Sequence, residues 1–155
     1  MTVDLRRFVE AQHDSFDRAL AEIEAGRKLS HWMWYTFPQV SGLGVSPISQ
    51  RYSIASVEEA TAYLLHPVLG AGYLRLVDAV WRQVIEEGVT VGALFGSPDN
   101  SKLVSSLTLF TAVARRLDPS RPDLAAFVTR AEEILDRAST EGLARCTTSE
   151  GFIGR

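Results

Sequence analysis

Apolar residues in this chain recur at three- and four-residue steps over most of its length, the spacing of one face of an α-helix. Leu5, Phe8, Val9, Phe16, Ala19, Leu20 and Ile23 form one stripe, and Gly26 supplies its stop. Val57, Ala60 and Leu64 form a second, behind the capping box Ser56-Val57-Glu58-Glu59. His66-Pro67 closes that helix. Pro67 opens a longer one with Leu69, Leu74, Val77, Val80, Trp81, Val84 and Ile85 inward, ending at Gly88. Ser97-Pro98 reads as a hydroxyl cap followed by proline at the first helical position. The stripe Leu103, Leu107, Phe110, Ala114, Leu117 follows it. Asp118 to Pro122 breaks that helix, and a last one carries Leu124, Phe127, Val128, Ala131, Leu135 and Ala138. Thr90 to Phe95 fits a short helix or a strand, and Gly96 stops either.

No period-two alternation persists, and no Asn-Gly or Asp-Gly hairpin signal occurs. The expected fold class is therefore all-α: a compact single domain, residues 1–142, of about six or seven helices by the periodicity rule. After Gly142 the period fails, and residues 143–155 are expected to form a poorly ordered or loosely packed tail.

The 155 residues are 46% hydrophobic and 23% charged, ordinary proportions for a globule with its own core. A net charge of −3 gives no global attraction to nucleic acid or anionic membrane, so neither is expected as a partner. The basic residues Arg115, Arg116 and Arg121 read as favouring a helix C-terminus. A single cysteine, Cys146, excludes an intrachain disulfide and a cysteine-based metal cluster, and fits a reduced cytoplasm. The N-terminus lacks the apolar core of a signal peptide, and no apolar run approaches the ~20 residues of a membrane span. The expected location is cytoplasmic. His13, His31 and His66 share no ligand-like spacing, so no metal is expected. No phosphate loop, dinucleotide fingerprint, zinc-protease or nucleophile-elbow motif is present, and no cofactor is expected.

One decapeptide stands out from this pattern. Ser30-His31-Trp32-Met33-Trp34-Tyr35-Thr36-Phe37-Pro38-Gln39 holds two of the three tryptophans. It reads as a short helix capped by Ser30 and ended by Pro38. Two tryptophans two residues apart point to roughly opposite sides of a helix, so one can anchor the core while the other faces a cleft. The loop that follows, Val40 to Ser49, is rich in glycine and serine and lets a ligand approach its backbone. Asp99 and Lys102 are i,i+3 neighbours, and Ser105-Ser106 interrupts an otherwise apolar helix.

Taken in order, these motifs resemble a bacterial family catalogued as domain of unknown function 1810. Ser30 to Trp34, Phe37-Pro38-Gln39, Gly42-Leu43-Gly44 and Ser46 match its hallmark. Phe8, Gln12, Lys28, Tyr52, Tyr63-Leu64, His66-Pro67, Phe95-Gly96, Asp99, Lys102-Leu103, Ser105-Ser106 and Thr108-Leu109-Phe110 match around it. The chain departs at Ala71-Gly72-Tyr73-Leu74, where the family pattern has an arginine after Leu69-Gly70. The resemblance implies an all-helical fold and no established activity, and its polar, aromatic and glycine residues, drawn from three segments, imply a pocket.

Two readings of function follow. In the first, the domain binds, and in one version hydrolyses, a nucleotide- or ADP-ribose-like small molecule. Lys28, Trp32, Trp34, Gln39, Gly42, Gly44, Ser46, Lys102 and Ser106 are the candidate ligand contacts, and Asp99 and His31 the candidate proton-handling pair. The start of the Ser97 helix would offer N–H groups to an anion. In the second, the aromatic segment is an anchor and the loop presents a surface for another protein. Convergence of His31, Gln39, Asp99 and Lys102 on one cleft separates the two.

Overall fold

A computed structural model describes residues 3–117 and 119–154 of the chain. Ten helices run through them: α1 Arg6–His13, α2 Phe16–Glu24, α3 Met33–Thr36, α4 Pro47–Arg51, α5 Val57–Leu65, α6 Leu69–Trp81, α7 Val91–Phe95, α8 Asp99–Arg115, α9 Pro122–Thr140 and α10 Thr147–Gly154. A π-helical turn, Arg82–Glu86, prolongs α6. Among the described residues there is no strand, only an isolated bridge between Val40 and Ile54. The all-α class holds, with more helices than the six or seven expected.

The excess has physical causes. The helices α3, α4 and α7 are four or five residues long, about one turn each, too short for a hydrophobic period to register. The first stripe serves two helices, because the Ser15 hydroxyl donates to the Ala11 carbonyl at 2.8 Å and divides α1 from α2. Thr90 to Phe95 resolves as α7, with the Thr90 hydroxyl accepting from the Ala93 N–H at 3.0 Å. Beyond Gly142, α10 lies against α8. There Ser149 is buried, and its hydroxyl donates to the Ser105 carbonyl. Polar seating of this kind leaves no apolar stripe in the sequence. The expected break before Pro122 separates α8 from α9; of its residues Asp118 lies outside the described ones, as does Arg155 at the end of the tail.

The core sits where α6, α8 and α9 pack on one another, with α5 closing against α6 and α8. Rings from five helices meet there: Tyr73 lies 4.8 Å from Phe110 and 5.7 Å from Phe127, and Tyr63 lies 5.1 Å from Phe8, all centroid to centroid. Burial pushes the Tyr63 and Tyr73 phenols far above their ordinary pKa, so both stay protonated donors. Each is satisfied, Tyr63 by donating to the Tyr35 carbonyl and Tyr73 by pairing with the Ser106 hydroxyl.

Two expected caps are absent. Ser30 does not cap the aromatic segment, whose helix α3 begins after Trp32 with no side-chain cap. His66 closes α5 as expected, and its Nδ1 also accepts from the N–H groups of Val68 and Leu69, both at 3.1 Å, at the start of α6. At α8 the helix begins at Asp99 with Pro98 in the capping position, and the Ser97 hydroxyl makes no cap. The Asn100 N–H reaches the Gly96 carbonyl at 2.8 Å, and the Ser101 N–H has the Pro98 carbonyl and the Asn100 side chain. Most first-turn donors are thereby used locally, which weakens this helix start as an anion seat.

Candidate functional site

The aromatic segment is tied down from two sides. Trp32, 1% exposed, sits just before α3 with its ring 6.3 Å from Phe95 and 6.2 Å from Phe37. Its indole Nε1 donates at 3.0 Å to Oε1 of Glu22, in the last turn of α2. That same oxygen accepts from the backbone N–H of Leu29 at 2.7 Å and of Ser30 at 2.8 Å. Partial burial pushes the Glu22 carboxyl up, but hydrogen bonds from Ser30, Leu29 and Trp32 outweigh it and hold the group at about 2, well below its ordinary 4.5.

On the other side stand Lys28 and the start of α8. The Lys28 ammonium lies 2.8 Å from Asp99 Oδ2, donates to the Ser30 carbonyl and stands 4.9 Å from the Trp32 ring centroid. Its backbone N–H bonds the Leu94 carbonyl at 2.7 Å, which ties it to α7 as well. The second oxygen of Asp99 lies 3.5 Å from the Lys102 ammonium, one turn along α8. Lys102 in turn stands 5.3 Å from the ring centroid of Trp34, which is half-buried. The Lys28 side chain is 7% exposed and that of Lys102 25%, so the inner cation is committed to the fold and the outer one meets solvent.

Of the residues singled out in the sequence, Lys28, Trp32, Trp34, Asp99 and Lys102 therefore share one network of ion pairs and cation–π contacts. The others are placed differently. The His31 side chain is exposed and has no hydrogen-bond or ion-pair partner among the described residues. Gln39 is half-buried; its backbone carbonyl accepts from the Ile54 N–H at 2.8 Å, and its amide joins none of the network's contacts. Ser46 caps α4, its hydroxyl accepting from the Ser49 N–H. Gly44 packs so close to Ser49 that a Cβ would stand 2.5 Å from that hydroxyl. Gly42 adopts φ +97 in open space, a conformation that favours glycine. Ser106 belongs to the core, paired with Tyr73 at 2.9 Å, and does not line a surface.

Glu22 escaped the sequence reading. It lies beyond Gly26 from the aromatic segment, and only the turn that Gly26 makes at φ +88 brings the carboxylate back to residues 29–32. No local spacing rule encodes such a return. The described residues hold no group of three or more His, Cys, Asp or Glu side chains suited to a metal ion. Among them no helix is long and apolar enough to cross a membrane.

No curated protein matches the chain. A crystal structure of the conserved hypothetical protein Rv1873 from Mycobacterium tuberculosis is similar at 40% sequence identity and a TM-score of 0.71, covering 93% of this chain and 98% of that one. A family described as "Protein of unknown function (DUF1810)" matches residues 2–138. That match spans α1 through nearly all of α9, including every residue of the Lys28–Asp99–Lys102 network, and the chain belongs to the DUF1810 family.

Proposed function

We propose that the protein binds a small anionic molecule carrying a flat ring, of nucleotide or ADP-ribose type, at the corner formed by Trp34 and Lys102. The observation that carries this reading is the pairing of a half-buried indole with the less committed of two cations. A base stacks on the exposed part of Trp34, and the phosphate meets the Lys102 ammonium. Glu22 and Lys28 hold the segment that presents the ring, so little ordering remains to be done on binding.

Asp99 fits a positioning role better than a chemical one, because each of its oxygens already faces an ammonium. Hydrolysis of an N-glycosidic bond by water at this corner would therefore need a group other than Asp99 to stabilise the oxocarbenium-like transition state. His31, exposed and unpartnered, is then the residue free to move a proton.

A second reading, a protein-interaction module, is favoured by one observation. Val45 is 89% exposed, and Leu43 in the same loop and Ile48 in the first turn of α4 are also exposed.

A thermal-shift series with AMP, ADP-ribose, ribose 5-phosphate and pyrophosphate separates the two. The ligand reading expects AMP and ADP-ribose to raise the Tm with concentration, and Lys102→Ala to shrink that rise. No shift with any of the four puts the interaction reading ahead.

A further inference from the structure

A cleft of about 320 Å³ opens between α1, α2 and α6, lined by residues that take no part in the Trp34–Lys102 corner. Its apolar walls are Val9, Phe16, Val68, Ala71 and Gly72. Gly72 lets the Phe16 ring lie against α6, since a Cβ there would stand 2.9 Å from Phe16 Cε2.

Three polar residues also line the cleft: Gln12, His13 and Arg75. Gln12 is 6% exposed, and the orientation of its amide is fixed by its partners. Its Nε2 donates to the Tyr35 carbonyl at 2.7 Å and to the Tyr63 hydroxyl at 2.9 Å, and a carbonyl can only accept. Tyr63 sends its own hydrogen to the Tyr35 carbonyl at 3.0 Å, so nothing returns to Gln12. Oε1 is left with no donor among the described residues. Among the described residues only Trp81 Nε1 is both sealed from solvent and unpartnered, so Gln12 Oε1 is reached by solvent, and Gln12 lines the cleft. At the mouth, Arg75 is exposed, its guanidinium 5.5 Å from the Phe16 ring centroid, with no carboxylate partner among the described residues. His13 is exposed on the same rim.

We propose that this cleft is a second binding site, for a small carboxylate with an apolar or aromatic body and an O–H or N–H donor at the end remote from the carboxylate. The donor bonds Gln12 Oε1 at the floor, the body lies against Phe16 and the valines, and the carboxylate meets Arg75 at the mouth, with His13 beside it. The volume sits at the low end of the roughly 300–1,000 Å³ of small-molecule sites, so the ligand is smaller than a nucleotide.

Titration calorimetry with 3-(4-hydroxyphenyl)propanoate tests this, alongside 3-(4-methoxyphenyl)propanoate, which lacks the donor, and 4-ethylphenol, which lacks the carboxylate. Two variants at exposed positions of α6 complete the set. Ala71→Leu fills the cleft, and Arg75→Gln removes the charge, both with good helix formers. The hydroxy acid is expected to bind at one site, and the methoxy acid roughly fivefold or more weakly. Arg75→Gln should weaken the hydroxy acid roughly fivefold and leave 4-ethylphenol unchanged. Ala71→Leu should abolish binding of all three while leaving any Tm response to AMP intact, which keeps this test apart from that of the first site. Absence of saturable heat from the hydroxy acid at millimolar concentration overturns the proposal. So does an unchanged Kd in Ala71→Leu or Arg75→Gln, or equal binding of the two acids.

Discussion

Oε1 of Glu22 accepts three N–H groups, and the seating of the aromatic segment rests on that one oxygen. Replacing Glu22 by alanine strands three donors and is expected to cost about 2–4 kcal/mol. Glu22→Gln keeps an oxygen in place but loses the charge, and about 1 kcal/mol at neutral pH is expected. The pH dependence carries more information. A carboxyl lowered from 4.5 to about 2 in the fold contributes stability that is present above pH 4.5 and lost as pH falls toward 2. The stability difference between wild type and Glu22→Gln, followed by urea denaturation, should therefore shrink across that window; a difference independent of pH would remove the role assigned to the charge. The two tryptophans should separate in the same assay. Trp32→Ala is expected to cost about 3–5 kcal/mol as a fully buried ring, and Trp34→Ala, half-buried, under about 2 kcal/mol.

At the scale of elements, the turn from α5 into α6 is tightly joined. A Cβ on Gly70 would stand 2.0 Å from the Leu64 carbonyl oxygen, which is backbone and cannot swing aside. Gly70→Ala should therefore destabilise by about 2 kcal/mol or more, although Gly70 lies inside α6, where alanine is the better helix former. A neutral or stabilising result in thermal denaturation would mean that the two helices re-pack with little strain. The long helices were legible because each carries an apolar stripe of several turns, as in α6, α8 and α9. Helices of one turn have no period to read: α3 lacks the Ser30 cap expected of it, the sequence of α7 fits a strand equally, and α4 lies partly within the loop expected over Val40 to Ser49. α10 is held by Phe152 against the core and by the Ser149 hydroxyl, and one ring with one hydroxyl leaves no periodic trace.

For the molecule as a whole, five of the site candidates meet because α2, the aromatic segment and the start of α8 are brought together by the fold. The sequence could nominate Asp99 and Lys102 as a pair, being one turn apart, and Trp32 with Trp34 as opposed rings. It could not show that Lys28 closes on Asp99 across about seventy residues of chain, a contact set by tertiary packing alone. Nor could it place Ser106 in the core or Ser46 at a helix cap, since a serine reads alike in a cavity, a core bond or a cap. The central claim is that Trp34 and Lys102 form the ligand-binding corner. Titrating AMP against the tryptophan fluorescence of the wild type and of Lys102→Ala tests it most directly. Saturable quenching is expected in the wild type, and in Lys102→Ala a curve displaced about fivefold or more to higher AMP with the Tm of the free protein little changed. Quenching that is absent, that does not saturate, or that is identical in the two proteins would contradict it.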